Sequence, residues 1–279
     1  MRHEGIFEIS VAKVNIDGIN VAFDDTGSGR PVILLHGYPF NRTLWDGQVA
    51  ALKNNFRVIT PDLRGFGESD AAEPATMARM AQDVAALMDA LDIPKAIIGG
   101  LSMGGYVLLS FYKQFPNRVD ALILADTRPQ ADTEEGKQNR VKQREQILRE
   151  GMSLTADSML PKLLTPETIS TRPDIVNQVR NMIMNTKPAG AAAALMGMAT
   201  REDQTELLQQ ISVPALIVVG REDPITPVQD SQLMHERVQG SRLIILEDAA
   251  HVSNLEQTES FNGVLKSFLR NQNGREATD

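Results

Sequence analysis

The sequence predicts a doubly wound, mostly parallel α/β sheet with an antiparallel N-terminal hairpin and a helical insertion. Three observations lead there. Short runs rich in Val, Ile and Leu alternate with amphipathic stretches of helical length. The runs are continuous rather than alternating in polarity, which suits strands covered on both faces. One long block, residues 127–210, interrupts the alternation with helical segments alone.

The elements follow in order. Runs at 6–14 and 19–24 flank Asn15-Ile16-Asp17-Gly18, a turn signal that makes the hairpin. Runs at 31–35, 56–60, 96–100, 121–125, 213–220 and 242–246 supply the parallel strands. Helices are expected at 43–55, 76–91, 103–115, 228–238 and 252–270. In the second of these, Met80, Val84, Leu87 and Leu91 recur at three- and four-residue steps and form one apolar face.

The block 127–210 reads as helices at 134–150, 152–164, 174–185 and 188–199, punctuated by Pro161, Pro166, Pro173 and Pro188. It holds 11 basic and 11 acidic residues, so the net charge of −8 belongs to the rest of the chain, with 17 basic and 25 acidic residues. It also holds six of the 12 methionines and no Phe, Trp or Tyr. Such a block between two strands reads either as a cap over the strand ends or as a plain helical layer. The cap reading divides the chain into a core domain, 1–126 and 211–279, and an inserted cap, 127–210.

Composition excludes several function classes. With no cysteine, disulfides, thiolate zinc sites, iron–sulfur clusters and a cysteine nucleophile are out. The acidic balance argues against nucleic acid or an anionic membrane as partner. No run reaches 18 apolar residues and the N-terminus lacks a signal-peptide pattern, so a cytoplasmic protein is expected. Four histidines exist, His3, His36, His235 and His251, and any imidazole chemistry must choose among them.

The run at 96–100 ends in Gly100-Leu101-Ser102-Met103-Gly104, a G-x-S-x-G between an apolar strand and an apolar helix. A serine on a sharp strand-to-helix turn exposes its hydroxyl at a helix N-terminus, where backbone N–H groups favour a developing oxyanion. Met103 N–H would be one donor. The turn His36-Gly37-Tyr38-Pro39 after the run at 31–35 would supply Tyr38 N–H as the other. Only the backbone of Tyr38 and Met103 is implicated, so their side chains should tolerate change better than Ser102.

Ser102 needs an imidazole to take its proton. His3 lies near a terminus, His36 belongs to the turn and His235 to a helix face. His251 follows the strand 242–246 after a short acidic loop, at the sheet end where such sites collect. The carboxylate that orients it is expected to be Asp223, after the strand 213–220, with Asp126, after the strand 121–125, as its main rival and adjacent Glu222 a second.

These residues resemble the α/β-hydrolase superfamily over nearly the whole chain. The segment Asp62-Leu63-Arg64-Gly65-Phe66-Gly67-Glu68-Ser69 is similar to the family's D-x-R-G-x-G-x-S stretch, which is structural there. The stretches Gly99 to Tyr106 and Ala125-Asp126-Thr127-Arg128 look like small bacterial carboxylesterases, neighbours of the 3-oxoadipate enol-lactonases. The chain order Ser102, Asp223, His251 is the order of that fold. A serine at the nucleophile position points to acyl transfer through an acyl-enzyme, on a small-molecule ester, with no cofactor, metal or obligatory protein partner.

The neutral, methionine-rich block suggests an adaptable apolar pocket for small uncharged acyl or aryl groups. Trp45 could line that pocket or anchor the first helix. Other serine-hydrolase reactions stay open: an enol-lactonase, a carbon–carbon bond hydrolase, a perhydrolase. A lactonase for a dicarboxylic substrate should present cationic pocket residues, and Arg128 and the block's lysines leave that open. A ligand sensor that keeps the fold and triad is the reading outside enzymes.

Overall fold

The computed structural model describes residues 11–273. Strands β1 (Ala12–Ile16) and β2 (Ile19–Gly27) form the antiparallel hairpin. Its turn is Asp17-Gly18 alone, both at positive φ (47° and 87°), the twist that two-residue hairpin turns need. The turn is shorter than expected because Asn15 and Ile16 stay in the ladder, opposite Asn20 and Ile19. Residues 6–10 of the expected first run, and His3, lie outside the described residues.

Six further strands follow: β3 (Pro31–Leu35), β4 (Arg57–Pro61), β5 (Ala96–Leu101), β6 (Val119–Ala125), β7 (Ala215–Gly220) and β8 (Arg242–Leu246). The sheet order is β1-β2-β4-β3-β5-β6-β7-β8, antiparallel through the first three and parallel from β4 onward. Every residue of β5 and β7 is buried, which is why their sequences are continuously apolar. β8 pairs on one side only and is partly open.

Helices α1 (Asp46–Leu52), α2 (Met77–Ala90) and α3 (Met103–Gln114) lie between the first strands. Thr76 caps α2 by accepting the Arg79 N–H (3.1 Å). The first helix is shorter than expected: the chain enters it through a 3-10 turn at Arg42–Trp45, where Asn41 accepts the Thr43 N–H (3.0 Å).

Between β6 and β7 come five helices, α4 (Glu134–Glu150), α5 (Ser153–Leu163), α6 (Pro166–Thr171), α7 (Pro173–Met184) and α8 (Pro188–Ala199). The sequence reading lacked α6. Its signal is Thr165, which accepts the Thr168 N–H (3.1 Å), followed by Pro166. Proline opens α6, α7 and α8, where the first-turn N–H would find no partner in any case.

Helix α8 packs with α4 and against the core loops. Its small residues permit backbone contact: a Cβ on Gly190 would run into the Gly65 backbone. Thr186 Oγ1 donates to Pro39 C=O (2.7 Å) and Lys187 Nζ to Ser69 C=O (2.9 Å), both across that seam.

After β7 come α9 (Val228–Arg237), α10 (Ser253–Glu256) and α11 (Thr258–Asn273). The expected helix 252–270 is thus broken at Gln257, whose backbone leaves the helical region (φ −117°, ψ 49°). No helix among the described residues is long and apolar enough to cross a membrane.

Candidate active site

Ser102 sits between β5 and α3 with φ 53° and ψ −114°, a conformation that costs a non-glycine residue about 1–3 kcal/mol. The surroundings enforce it. Ser102 N–H donates to Ala125 C=O (3.0 Å), and Thr127 Oγ1 donates to Ser102 C=O (2.8 Å). The turn is tight enough that a Cβ on Gly104 would collide with the Leu35 and His36 carbonyl oxygens.

His251 Nε2 lies 2.8 Å from Ser102 Oγ, and His251 Nδ1 lies 2.8 Å from Asp223 Oδ2. All three residues are buried. Asp223 is held on its other sides by the N–H groups of Ile225 (2.8 Å) and Thr226 (3.0 Å) and by the Thr226 hydroxyl (2.6 Å). Burial alone would raise the Asp223 carboxyl. The imidazole and these donors overcome it and hold the group below the usual carboxylate range. Burial likewise pulls the His251 imidazole down, but the carboxylate of Asp223, and then Asp126, keep it above its ordinary value.

The loop that carries His251 is fixed by Glu256, which accepts the N–H of Ala250 (2.6 Å) and of Thr165 in the helical block (2.8 Å). Thr226 and Glu256 were not singled out from sequence. Only their nearness in chain to Asp223 and His251 could have pointed to them.

The other assignments separate cleanly. His36 is buried, and its Nε2 accepts the Leu63 N–H (3.0 Å), so the ring proton is assigned to Nδ1, facing Gly37 C=O (2.9 Å). Burial lowers its pKa further, so this is a neutral structural ring. His235 is exposed on α9 against Ser241 (2.8 Å). Glu222 is exposed. Asp126 is buried beside the pair, but its oxygens face Gly220 N–H (2.9 Å) and the Ser253 hydroxyl (2.6 Å) rather than the imidazole. Tyr38 follows Gly37 on the β3 side and Met103 opens α3. Among the described residues no acceptor takes up either N–H. Trp45 is fully buried against Phe261 (centroids 6.2 Å) and does not line the cavity at Ser102.

A cavity of about 220 Å³ opens on Ser102 and His251. Tyr38, Tyr106 and Ile225 complete its core wall. The opposite wall comes from the helical block: Arg140, Gln143 and Gln146 of α4, and Thr155, Ser158 and Lys162 of α5, with Met159, Ile147 and Met198 between them.

The cavity is mixed in character: Ile147, Met159, Met198 and Ile225 supply apolar surface beside polar groups. The methionines are present, yet six of the block's lining residues are polar, two are cationic and none is acidic. A block neutral in sum places its cations here. Arg140 pairs with Asp132, while Lys162 is exposed and has no ion pair among the described residues. The sequence signal was the helical face on which Arg140, Gln143 and Ile147 recur at three- and four-residue steps. Arg128 does not line this cavity, although its charge opposes protonation of His251. It lines a larger hollow, about 470 Å³, that shares only Tyr106 with the cavity at Ser102.

Comparison with known proteins gives the class. Residues 30–258 match the family described as alpha/beta hydrolase fold, and the chain belongs to that family. Its particular relatives are esterases and enol-lactonases. The fold superposes on a thermophilic esterase from Thermogutta terrifontis solved with malate bound (41% identity, TM-score 0.90, 94% of this chain and 97% of that one). It also superposes on the enol-lactonase of Burkholderia xenovorans (28% identity, TM-score 0.87, 93% and 100%). In sequence it is 32% identical to 3-oxoadipate enol-lactonase 2 of Acinetobacter baylyi over 84% of this chain and 86% of that protein. The chain is thus a hydrolase with esterase and lactonase relatives.

Proposed function

We propose that the protein is a serine carboxylesterase that hydrolyses short-chain or aryl carboxylic esters through an acyl-enzyme. The observation that carries this reading is the continuous contact from Ser102 Oγ through His251 to Asp223, both steps at 2.8 Å. In the first half-reaction Ser102 Oγ attacks the ester carbonyl while His251 Nε2 takes its proton. Asp223 holds the imidazole tautomer and stabilises the imidazolium. The N–H groups of Met103 and Tyr38 receive the oxyanion. Collapse expels the alcohol, which takes its proton from His251. In the second half-reaction water, deprotonated by His251, attacks the acyl-enzyme and frees Ser102. Residues 127–210 act as a cap over this site, inserted into a core of 1–126 and 211–279.

One observation favours a second reading, an enol-lactonase. Arg140 and Lys162 on the cavity wall suit a ring substrate that carries negative charge. The relatives among enol-lactonases support it.

A series of p-nitrophenyl esters from acetate to palmitate tests the first reading. A cavity of about 220 Å³ should give the highest kcat/KM at two to four acyl carbons, with a steep fall beyond. A preference for palmitate would overturn the reading. An enol-lactone assayed beside p-nitrophenyl butyrate decides between the two.

A further inference from the structure

The three residues that end β6 and leave it touch each loop of the site. Ala125 C=O accepts the Ser102 N–H (3.0 Å) and Thr127 Oγ1 donates to Ser102 C=O (2.8 Å), so the nucleophile turn is gripped from both ends. Between them stands Asp126. Its Oδ1 accepts the N–H of Gly220 (2.9 Å), three residues before Asp223. Its Oδ2 bonds the hydroxyl of Ser253 (2.6 Å), two residues after His251.

Asp126 is fully buried and holds a left-handed backbone (φ 42°), although it is neither glycine nor in a turn of free chain. Its own N–H is fixed to Val218 C=O in β7 (2.9 Å). A buried carboxyl and a strained backbone both cost free energy, and such costs gather where function demands them. The mechanism above gives Asp126 no proton to move, because Asp223 already occupies His251 Nδ1 (2.8 Å).

We propose that Asp126 is a positioning residue whose carboxyl group ties the acid loop to the base loop, while its neighbours hold Ser102 in register with both. This rests on reading Ser102, Asp223 and His251 as nucleophile, acid and base.

A carboxyl group suits the task because it offers two oxygens to two partners that arrive from different loops. The tie does not need charge. Burial, and then the negative charge of Asp223, push the Asp126 carboxyl up to about 8, which favours its neutral form. In the structure the Ser253 hydroxyl donates to Oδ2. An asparagine keeps both arms: its carbonyl accepts from Gly220, and its amide donates to the Ser253 oxygen once that hydroxyl turns. An alanine leaves the Gly220 N–H and the Ser253 hydroxyl unpaired and frees both loops to shift.

The test compares Asp126→Ala, Asp126→Asn and Ser253→Ala with the wild type on p-nitrophenyl butyrate. The kcat is expressed per active site titrated with a fluorophosphonate, so unfolded protein is not counted. Displacing reacting groups by about an ångström can cost about a hundredfold, so Asp126→Ala should lose about 10- to 100-fold in kcat with KM within about twofold. Asp126→Asn should lose less than about fivefold, and Ser253→Ala, which cuts one arm of the tie, should fall between the two.

Asp126→Ala with an unchanged kcat per titrated site overturns the proposal, as does Asp126→Asn falling as far as Asp126→Ala. If Asp126→Ala does not fold, Ser253→Ala with wild-type kcat overturns it. A wild-type protein that neither hydrolyses the ester nor takes up the fluorophosphonate defeats the serine-esterase reading itself, and does so before any variant is compared.

Discussion

The cavity at Ser102 has two walls of opposite make. The wall from the sheet is built of buried groups, and His251, Asp223 and Asp126 each have their polar atoms engaged. The wall from residues 127–210 carries half-buried and exposed polar groups around buried Ile147 and Met198. Helix α4 buries only Ile147, and among the described residues Gln143, Gln146 and Lys162 have no side-chain hydrogen bond to protein. Fully paired buried groups are held in one geometry, which proton transfer and nucleophilic attack require. Unpaired polar groups on an open wall can meet a ligand without first breaking a bond. On the proposed reading the difference teaches a division of labour: the strand ends carry the chemistry and the helical block selects what reaches it.

The sharpest way to break that division is to alter the sheet wall. Ser102→Ala should cut kcat by about 10⁴-fold or more on any substrate, checked by steady-state hydrolysis with the fold confirmed by circular dichroism. Asp223→Asn should cost about 10³-fold or more by presenting the wrong partner to His251 Nδ1, whereas Asp126→Asn should stay within about fivefold. Equal losses at the two positions would erase the distinction drawn between them.

A pH series sharpens the account. On the proposed mechanism His251 must be neutral to accept the Ser102 proton, and the Asp223 carboxylate holds its pKa above the ordinary 6.5 against burial. The kcat/KM should therefore rise with pH through a midpoint above 6.5 and fall about tenfold per unit below it. A midpoint below 6.5 would contradict the assigned balance between burial and carboxylates.

The smallest expected effect is on the other wall. Lys162→Ala should raise KM by about three- to tenfold for the p-nitrophenyl monoester of glutaric acid, and leave kcat and the neutral butyrate ester within about twofold. A uniform fall in kcat on both esters would show that the helical block takes part in the chemistry as well.

Much of this was legible in the sequence, for identifiable reasons. Strands buried on both faces leave continuous apolar runs, so the strands from β3 to β8 stand out within a residue or two. The G-x-S-x-G turn announces itself because only glycine clears the Leu35 and His36 carbonyls at position 104. The distinction between Asp126 and Asp223 was only a matter of position, since both follow a strand that ends at the same rim of the sheet. It took coordinates to see which oxygen meets His251 Nδ1. The charges on the cavity wall were the part the sequence left unresolved. A count of 11 against 11 charges averages over a block in which Asp132 pairs with Arg140 and Arg201, while Lys162 lines the cavity with no ion pair among the described residues. Net charge is a property of a segment, and recognition depends on which face each charge occupies.

The central claim is that Ser102 is the nucleophile. Fluorophosphonate labelling followed by peptide mass spectrometry tests it most directly. The account predicts one adduct on the wild-type protein, on Ser102, and none on Ser102→Ala. An adduct at another residue, or a Ser102→Ala protein that hydrolyses p-nitrophenyl butyrate at the wild-type rate, would contradict it.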